Sequence, residues 1–395
     1  MRILAISYLF PNGQYPNYGI FVLNRLKAIN RYYDVKVINP IPWFPFSIFL
    51  ERYKNYHRIP KREVIEGIEI YHPRFFTIPR YLKALEVAAF SVSVFPLVLK
   101  IKKVFPFDLI DVHWTYPDMF VGQLLAKWTG KKQIITVRGR EALYLSERSL
   151  RRAMLNKLLK ISDGVVCLST ELKEICINLG VRDSNIRVIR NGVDVSTFRF
   201  MDKTVCRRKL RMSKTTRVIL SVGSLIKGKG HDRIIKALPA IKEIYPDTCL
   251  YIAGSHGPAG DYRKEILQLI KRLRLQDDVR FLGQVPNKEL VLWYNAADIF
   301  CLASRGEGSP NVVNEALACG CPTIATDVGA ASEVIARDFL GIMVPNSDDC
   351  VASALLSVFS RTYDRKRIAT FMRQYDWDWC AMRVMRFYQQ ILMAS

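Results

Sequence analysis

The sequence predicts an α/β protein built from two doubly wound, mostly parallel sheets with helices on both faces. Three observations carry that expectation. The chain has 395 residues, more than the roughly 250–300 at which single cores stop growing. Half of its residues are apolar and about a quarter charged, enough to build two interiors. Short apolar runs alternate with helical patterns in both halves, the arrangement that yields parallel strands with crossover helices.

Taken in order, the N-terminal half offers strands at Ile3–Tyr8, Val35–Asn39, Leu109–His113, Gln133–Val137 and Gly164–Leu168, each a brief run of β-favouring apolar residues. Helical spacing lies between them at Phe21–Asn30, Met119–Thr129 and Leu150–Ile161. The alternation breaks near Asn191–Thr216, where Asn-Gly and a basic stretch mark a domain boundary. It resumes with strands at Val218–Val222, Cys249–Ala253, Val279–Leu282, Ile299–Leu302 and Thr323–Thr326. Helices are expected there at Asp232–Ile244, Arg263–Leu273, Lys288–Asn295 and Pro310–Cys319. Domains 1–195 and 196–372 follow. In such sheets ligands gather at the carboxyl ends of strands, here expected in a cleft between the two domains.

Composition narrows the function. Fifty-nine Lys and Arg against thirty-six Asp and Glu leave a net charge of +23, which draws a protein toward a polyanion. No zinc finger, RNA-binding signature or basic zipper accompanies the charge, so no nucleic acid is expected and an anionic membrane surface is. Basic residues crowd Arg138–Lys160 and Arg199–Arg217. Two stretches favour the membrane: the proline-broken aromatic run from Pro40 to Leu50, followed by Arg52, Lys54 and Arg58, and the apolar run from Ala84 to Leu99. Neither reaches the roughly 20 apolar residues of a spanning helix, and both read equally well as a core loop and a core helix. The nine cysteines form no C-x-x-C pair, which excludes zinc-ribbon and thioredoxin chemistry. Reduced thiols in a cytoplasm are expected, on the cytoplasmic face of a membrane. Ile3-Leu-Ala-Ile6 is too short for a secretion signal.

The stretch Glu307-Gly-Ser-Pro-Asn-Val-Val-Asn-Glu315 carries the most chemistry. Ser309 before Pro310 reads as a hydroxyl N-cap and a proline at the first helical position. A helix start offers free N–H groups and a positive dipole end, a seat for a diphosphate. Glu307 precedes that seat, and Glu315 lies roughly 7–8 Å further along at about 1.5 Å per residue. Carboxylates on both sides of a phosphate site suit a ligand made of sugar, diphosphate and ribose. A second loop, Val222-Gly-Ser-Leu-Ile-Lys-Gly-Lys-Gly230, joins a strand to a helix. Its glycines permit close approach, and Lys229 brings a cation to a leaving diphosphate. It matches neither G-x-G-x-x-G nor the P-loop, so dehydrogenase and ATPase readings lose support. Gly13 and Gly19 form a similar turn after the first strand, and residues 254–260 form a further glycine turn. Asp376-Trp-Asp378 spells a D-x-D but sits in a helical, aromatic stretch and reads as surface acids flanking a packed tryptophan. No metal is expected.

With these segments in hand, the chain resembles the retaining GT-B glycosyltransferases of family four. Gly19-Ile-Phe-Val22, Asp111-Val-His-Trp-Thr-Tyr-Pro-Asp118, Thr136-Val-Arg-Gly139, Ile189-Arg-Asn-Gly-Val-Asp194, Val222-Gly223 through Lys229-Gly230, and Glu307 through Glu315 stand in family order. The nearest flavour is the bacterial branch that builds surface polysaccharide. The resemblance implies a GT-B fold of two Rossmann-like domains, with residues 373–395 crossing back as a helix to brace the N-terminal domain. It implies that Glu307 binds donor-sugar hydroxyls, that the backbone of Ser309, Pro310, Asn311 and Val312 meets sugar and diphosphate, and that Glu315 holds the ribose. Lys229 would neutralise the diphosphate while Gly19 closes over it. His113 and Arg138 would sit near sugar and acceptor, and backbone near Gly254 and Val285 would read the base. Two places depart from the family. Ser224 stands where many members carry arginine, so Lys227 or an N-domain arginine would substitute. Arg138 stands where many carry histidine.

The implied reaction moves a sugar from UDP or GDP to a hydroxyl of a lipid-linked glycan, keeping anomeric configuration, without cofactor. A sugar-nucleotide epimerase of the same fold and a non-enzymatic polyanion-binding protein are the alternatives.

Overall fold

The computed structural model describes residues 1–45, 50, 53–77, 83–143, 150–255 and 261–394. Parts of three stretches singled out above lie outside the described residues: the aromatic run before Leu50 together with Arg52, the tip of the 254–260 turn, and the centre of the basic stretch at 138–160. The chain divides into two compact units, one of residues 1–191 with 377–395 and one of residues 192–376.

The first unit runs β1 (Arg2–Ile6), α1 (Ile20–Ile29), β2 (Asp34–Ile38), β3 (Ile41–Trp43), β4 (Arg62–Ile65), β5 (Ile68–Tyr71), β6 (Arg74–Phe76), α2 (Lys83–Val104), β7 (Leu109–Val112), α3 (Phe120–Thr129), β8 (Lys132–Val137), α4 (Leu150–Ile161), β9 (Gly164–Cys167), α5 (Thr170–Asn178) and β10 (Ile186–Val188). Its main sheet has the order β10-β9-β8-β7-β1-β2-β5-β4. Every pairing in it is parallel except that of β4 with β5. Strand β1 shows why the interior is double-sided. Ile3 and Ala5 enter one apolar cluster with α1, whereas Leu4 and Ile6 enter another with α2 and α3, as a two-residue side-chain period demands.

The second unit runs α6 (Lys203–Lys209), β11 (Arg217–Val222), α7 (His231–Ile244), β12 (Thr248–Ala253), α8 (Arg263–Arg272), β13 (Val279–Gly283), α9 (Asn287–Ala296), β14 (Ile299–Leu302), α10 (Asn311–Ala318), β15 (Thr323–Thr326), α11 (Ala331–Val334), β16 (Gly341–Val344), α12 (Cys350–Phe359) and α13 (Arg365–Met372). Its six strands are all parallel, ordered β13-β12-β11-β14-β15-β16. Strand β11 feeds β12 on one side, and the chain later returns as β14 on the other. The strand order thus reverses between β11 and β14, and at such a switch point ligands gather at the carboxyl ends of the strands.

Helix α14 (Trp377–Met393) belongs to the first unit. Cys380, Ala381, Val384, Met385 and Tyr388 form a buried helical stripe that joins the α1 side of the core. The divisions fall at 191/192 and 376/377 rather than 195/196 and 372/373. Val193 donates its amide to the Tyr375 carbonyl at 3.0 Å, and Val193 and Phe198 pack in the core of the second unit. Asp378 pairs with Arg31 at 2.5 Å, while Trp377 packs against the interior.

Candidate active site

In the second unit the lysine loop comes against the loop after β14. Gly230 makes this possible. Its φ is 68°, and a Cβ there would lie 1.8 Å from the Ala303 carbonyl oxygen, so only glycine lets the loop rest on the end of β14. Lys229 Nζ consequently meets Glu307 Oε1 at 2.7 Å, and the Ser304 hydroxyl donates to the same oxygen at 2.7 Å. Glu307 Oε2 carries no hydrogen bond among the described residues.

Three residues that the motif reading missed hold this loop. His231 Nε2 lies 3.3 Å from the Gly223 carbonyl, and its Nδ1 lies 3.0 Å from Ser221 Oγ. A carbonyl only accepts, so Nε2 carries the proton and Nδ1 takes the serine hydroxyl's. Burial pulls this imidazole down to about 4, which keeps it neutral. Arg305 forks onto Asp232 at 2.8 Å twice and donates to the Lys227 carbonyl at 2.7 Å. Lys227 thus contributes its carbonyl, while its side chain is exposed. Ser224 accepts the Ile226 amide at 2.8 Å.

Helix α10 starts differently from the expectation. Pro310, with φ −74° and ψ 94°, is itself the N-cap, and no side chain caps the helix. A residue before proline is held extended, so Ser309 lies one position too early to cap. Its hydroxyl is buried and has no partner among the described residues. The first ladder bond is Val313 N–H to the Pro310 carbonyl, 3.0 Å, so the amides of Asn311 and Val312 precede it. An uncapped helix start keeps its positive end available to an anion.

Glu315 projects from this short helix and accepts the Tyr294 hydroxyl at 3.0 Å. Burial, helped by the charge of Asp194 and opposed by Tyr294, pushes its carboxyl up to about 7. Tyr294 is fully buried against Phe198 and Phe300. Gly254 uses its amide on the Gly283 carbonyl at 2.7 Å, and Val285 packs at the edge of the core.

In the first unit Gly19, His113 and Arg138 follow β1, β7 and β8. Gly19 caps α1 at φ 71°. A Cβ there would lie 2.4 Å from the Leu9 carbonyl oxygen. Arg138 spreads over the Phe21 ring, 5.0 Å from its centroid, so it stands at the same helix start. Its Nη2 reaches His113 Nδ1 at 2.7 Å and its Nε the His113 carbonyl at 3.2 Å. A guanidinium only donates, so Nδ1 accepts and the ring proton lies on Nε2, 2.8 Å from Asp111 Oδ2. Tyr388 of α14 donates to that carboxylate at 2.5 Å. Burial drives the His113 imidazole down to about 4. His113 and Arg138 were both expected near sugar and acceptor. Within the first unit the His113 ring is enclosed, with both nitrogens facing protein, in the position of a residue that orients Arg138.

Residues 202–374 match the family of glycosyl transferases group 1, and residues 30–197 match Glycosyltransferase Family 4. The chain is 26% identical over 361 residues to a protein of Bacillus subtilis named as the teichuronic acid biosynthesis glycosyltransferase TuaC, covering 90% of this chain and 88% of that one. Among solved structures, sucrose-phosphate synthase from Thermosynechococcus elongatus superposes with a TM-score of 0.79 at 20% identity, with both chains fully covered. The Anabaena HepE protein in complex with UDP-glucose gives 0.73 at 20% identity, over 99% of this chain and 100% of that one. The fold is GT-B, two Rossmann-like domains with parallel sheets. The chain belongs to glycosyltransferase family 4 and is a glycosyltransferase.

Proposed function

We propose that the protein transfers a sugar from a nucleoside diphosphate, UDP or GDP, to a hydroxyl of a lipid-linked glycan during cell-surface polysaccharide synthesis, with retention of configuration. One observation carries the reading. Lys229, Glu307 and the uncapped start of α10 converge at the carboxyl ends of β11 and β14, with Glu315 further along the same helix. The α10 amides and Lys229 seat the diphosphate and stabilise it as it leaves. Glu307 steers Lys229 through one oxygen and offers the other to a sugar hydroxyl, and the unpartnered Ser309 hydroxyl suits a second. Glu315 accepts the ribose hydroxyls. Arg138, oriented by His113, serves the acceptor side. The transition state has oxocarbenium character, and the leaving phosphate takes the acceptor proton. That HepE is seen with UDP-glucose and that TuaC is named for a wall polymer support donor and pathway class.

Support for a lipid-linked acceptor comes from the exposed surface of α2. Leu85, Val92 and Leu99 are 56%, 75% and 49% exposed. Seven residues separate each from the next, so they share one face. Lys100, Lys102 and Lys103 are exposed at the end of that helix. No helix of the described residues is long and apolar enough to cross a membrane. An apolar face beside lysines suits the interface of an anionic bilayer.

The test is a thermal-shift screen of UDP- and GDP-sugars, followed by transfer assays with lipid-linked acceptors. A donor that shifts melting and is consumed only with acceptor supports the reading. Epimerised sugar from donor incubated alone, seen by nuclear magnetic resonance, would replace it with an epimerase.

A further inference from the structure

The six-stranded sheet has a second end, where β11 and β14 begin. There a cavity of about 130 Å³ is lined by Lys203, Arg217, Asp298, Arg361, Tyr363 and Arg365, among others. Four cations face a single carboxylate, and that carboxylate is already saturated. Asp298 pairs with Lys203 and accepts Arg207 Nη2 at 2.7 Å and the Val218 amide at 2.7 Å. Arg365 donates to the carbonyls of Gly320, Ala297 and Tyr294 at 3.0, 2.8 and 3.1 Å. Those contacts use three of its five N–H groups and do not neutralise it. Arg217 stacks over Tyr245 and Phe359, at 4.1 and 5.4 Å from their centroids, and meets no carboxylate among the described residues. The buried Tyr363 hydroxyl finds no acceptor among them either.

A concave surface with surplus positive charge and an idle O–H donor is built for an acceptor-only ligand. Arginine forks match tetrahedral oxyanions. The cavity of about 130 Å³ is roomy enough for a phosphate group. We propose that this cavity is a binding site for a phosphate-sized oxyanion, free or terminal on a larger molecule, separate from the diphosphate seat at the opposite end of the sheet.

The site is wired to that seat within the same unit. Arg365 holds the backbone of Tyr294, whose hydroxyl holds Glu315 at 3.0 Å, and it also holds Gly320 just beyond α10. An anion drawing on Arg365 loosens both grips, so bound phosphate weakens nucleotide binding by about fivefold or more. This coupling rests on the ribose role of Glu315; the anion site itself does not.

Calorimetry on the full chain at fixed ionic strength tests both parts, with inorganic phosphate in one arm and glucose 6-phosphate in another. With the diphosphate seat disabled by Lys229→Ala, the chain is expected to keep one phosphate site, and Arg217→Gln/Arg361→Gln added to that background to bind at least tenfold more weakly. Tyr363→Phe, a gentler change, is expected to weaken binding severalfold. Binding of glucose 6-phosphate shows that the site takes terminal phosphates, and its absence beside phosphate binding restricts it to the free ion. No phosphate binding in wild type, or binding removed by Lys229→Ala and untouched by the arginine and tyrosine variants, overturns the proposal. Phosphate binding without any effect on UDP affinity removes the coupling alone.

Discussion

Lys229 and Glu307 meet at 2.7 Å, so each is held where the other needs it before any substrate arrives. Removing the cation should cost mainly turnover. Lys229→Ala is expected to lower kcat by about 10²–10³, the usual loss for one oxyanion-stabilising donor, with a smaller change in KM; steady-state kinetics with the identified donor check it. Glu315 makes a pH prediction. Its folded carboxyl titrates near 7, against about 4.3 in an unfolded chain. The folded state therefore holds the proton more tightly. The resulting stabilisation is full below about pH 4 and is lost as pH rises through 7. Melting temperatures between pH 5 and 8 should fall more steeply for wild type than for Glu315→Gln. UDP affinity should run the other way, tightening from pH 6 to 8, because an ionised carboxylate accepts both ribose hydroxyls, and the glutamine variant should not follow. At this scale the glycines and prolines around Lys229, Glu307 and Glu315 made those three legible. Their partners Ser304, Tyr294, His231 and Arg305 were not, since three of them are ordinary residues of strand ends and helices. Contact alone selects them. Pro310 and Ser309 misled by one position because the serine–proline pair fits two helix starts that differ only in ψ at the proline.

Among elements, the strands buried on both faces were read within a residue or two, as unbroken apolar runs permit. The β4–β5 hairpin escaped because Arg62-Glu-Val-Ile-Glu-Gly-Ile-Glu-Ile70 mixes charge into an edge pair, where solvent tolerates it. Helix α2 continues to Val104 through Pro96, beyond the apolar run that announced it. Its outer face supports a further prediction. Val92→Glu with Leu99→Glu should abolish flotation with anionic liposomes while leaving the melting temperature nearly unchanged, because both side chains face solvent. Wild type that stays in solution would refute the membrane assignment. Helix α14 is tested by Tyr388→Phe. That change takes one hydrogen bond from the buried Asp111 carboxylate, worth about 1.5–3 kcal/mol for a charged partner, and should appear as a lower denaturant midpoint with an unchanged slope.

The whole molecule carries +23, and attraction of this kind reaches only about a Debye length, some 10 Å at 0.1 M salt. Liposome binding should therefore weaken between 50 and 500 mM salt if the lysines of α2 meet head groups. Transfer without a metal is checked by EDTA, which should leave the initial rate unchanged; loss of rate restored by a divalent cation would reverse that expectation. The overall architecture was legible because it depends on alternation, which any window of sequence displays, whereas the unit boundaries shifted by four residues because pairing of Val193 with Tyr375 is a distant contact. The discontinuity of the first unit has a bearing on biosynthesis. Asp111 and the stripe beneath α1 stay unsealed until residues near 388 leave the ribosome, so the portion made first is completed last. Nascent chains stalled before α14 should be digested readily in that portion, while the intervening unit, whole by residue 376, already resists protease.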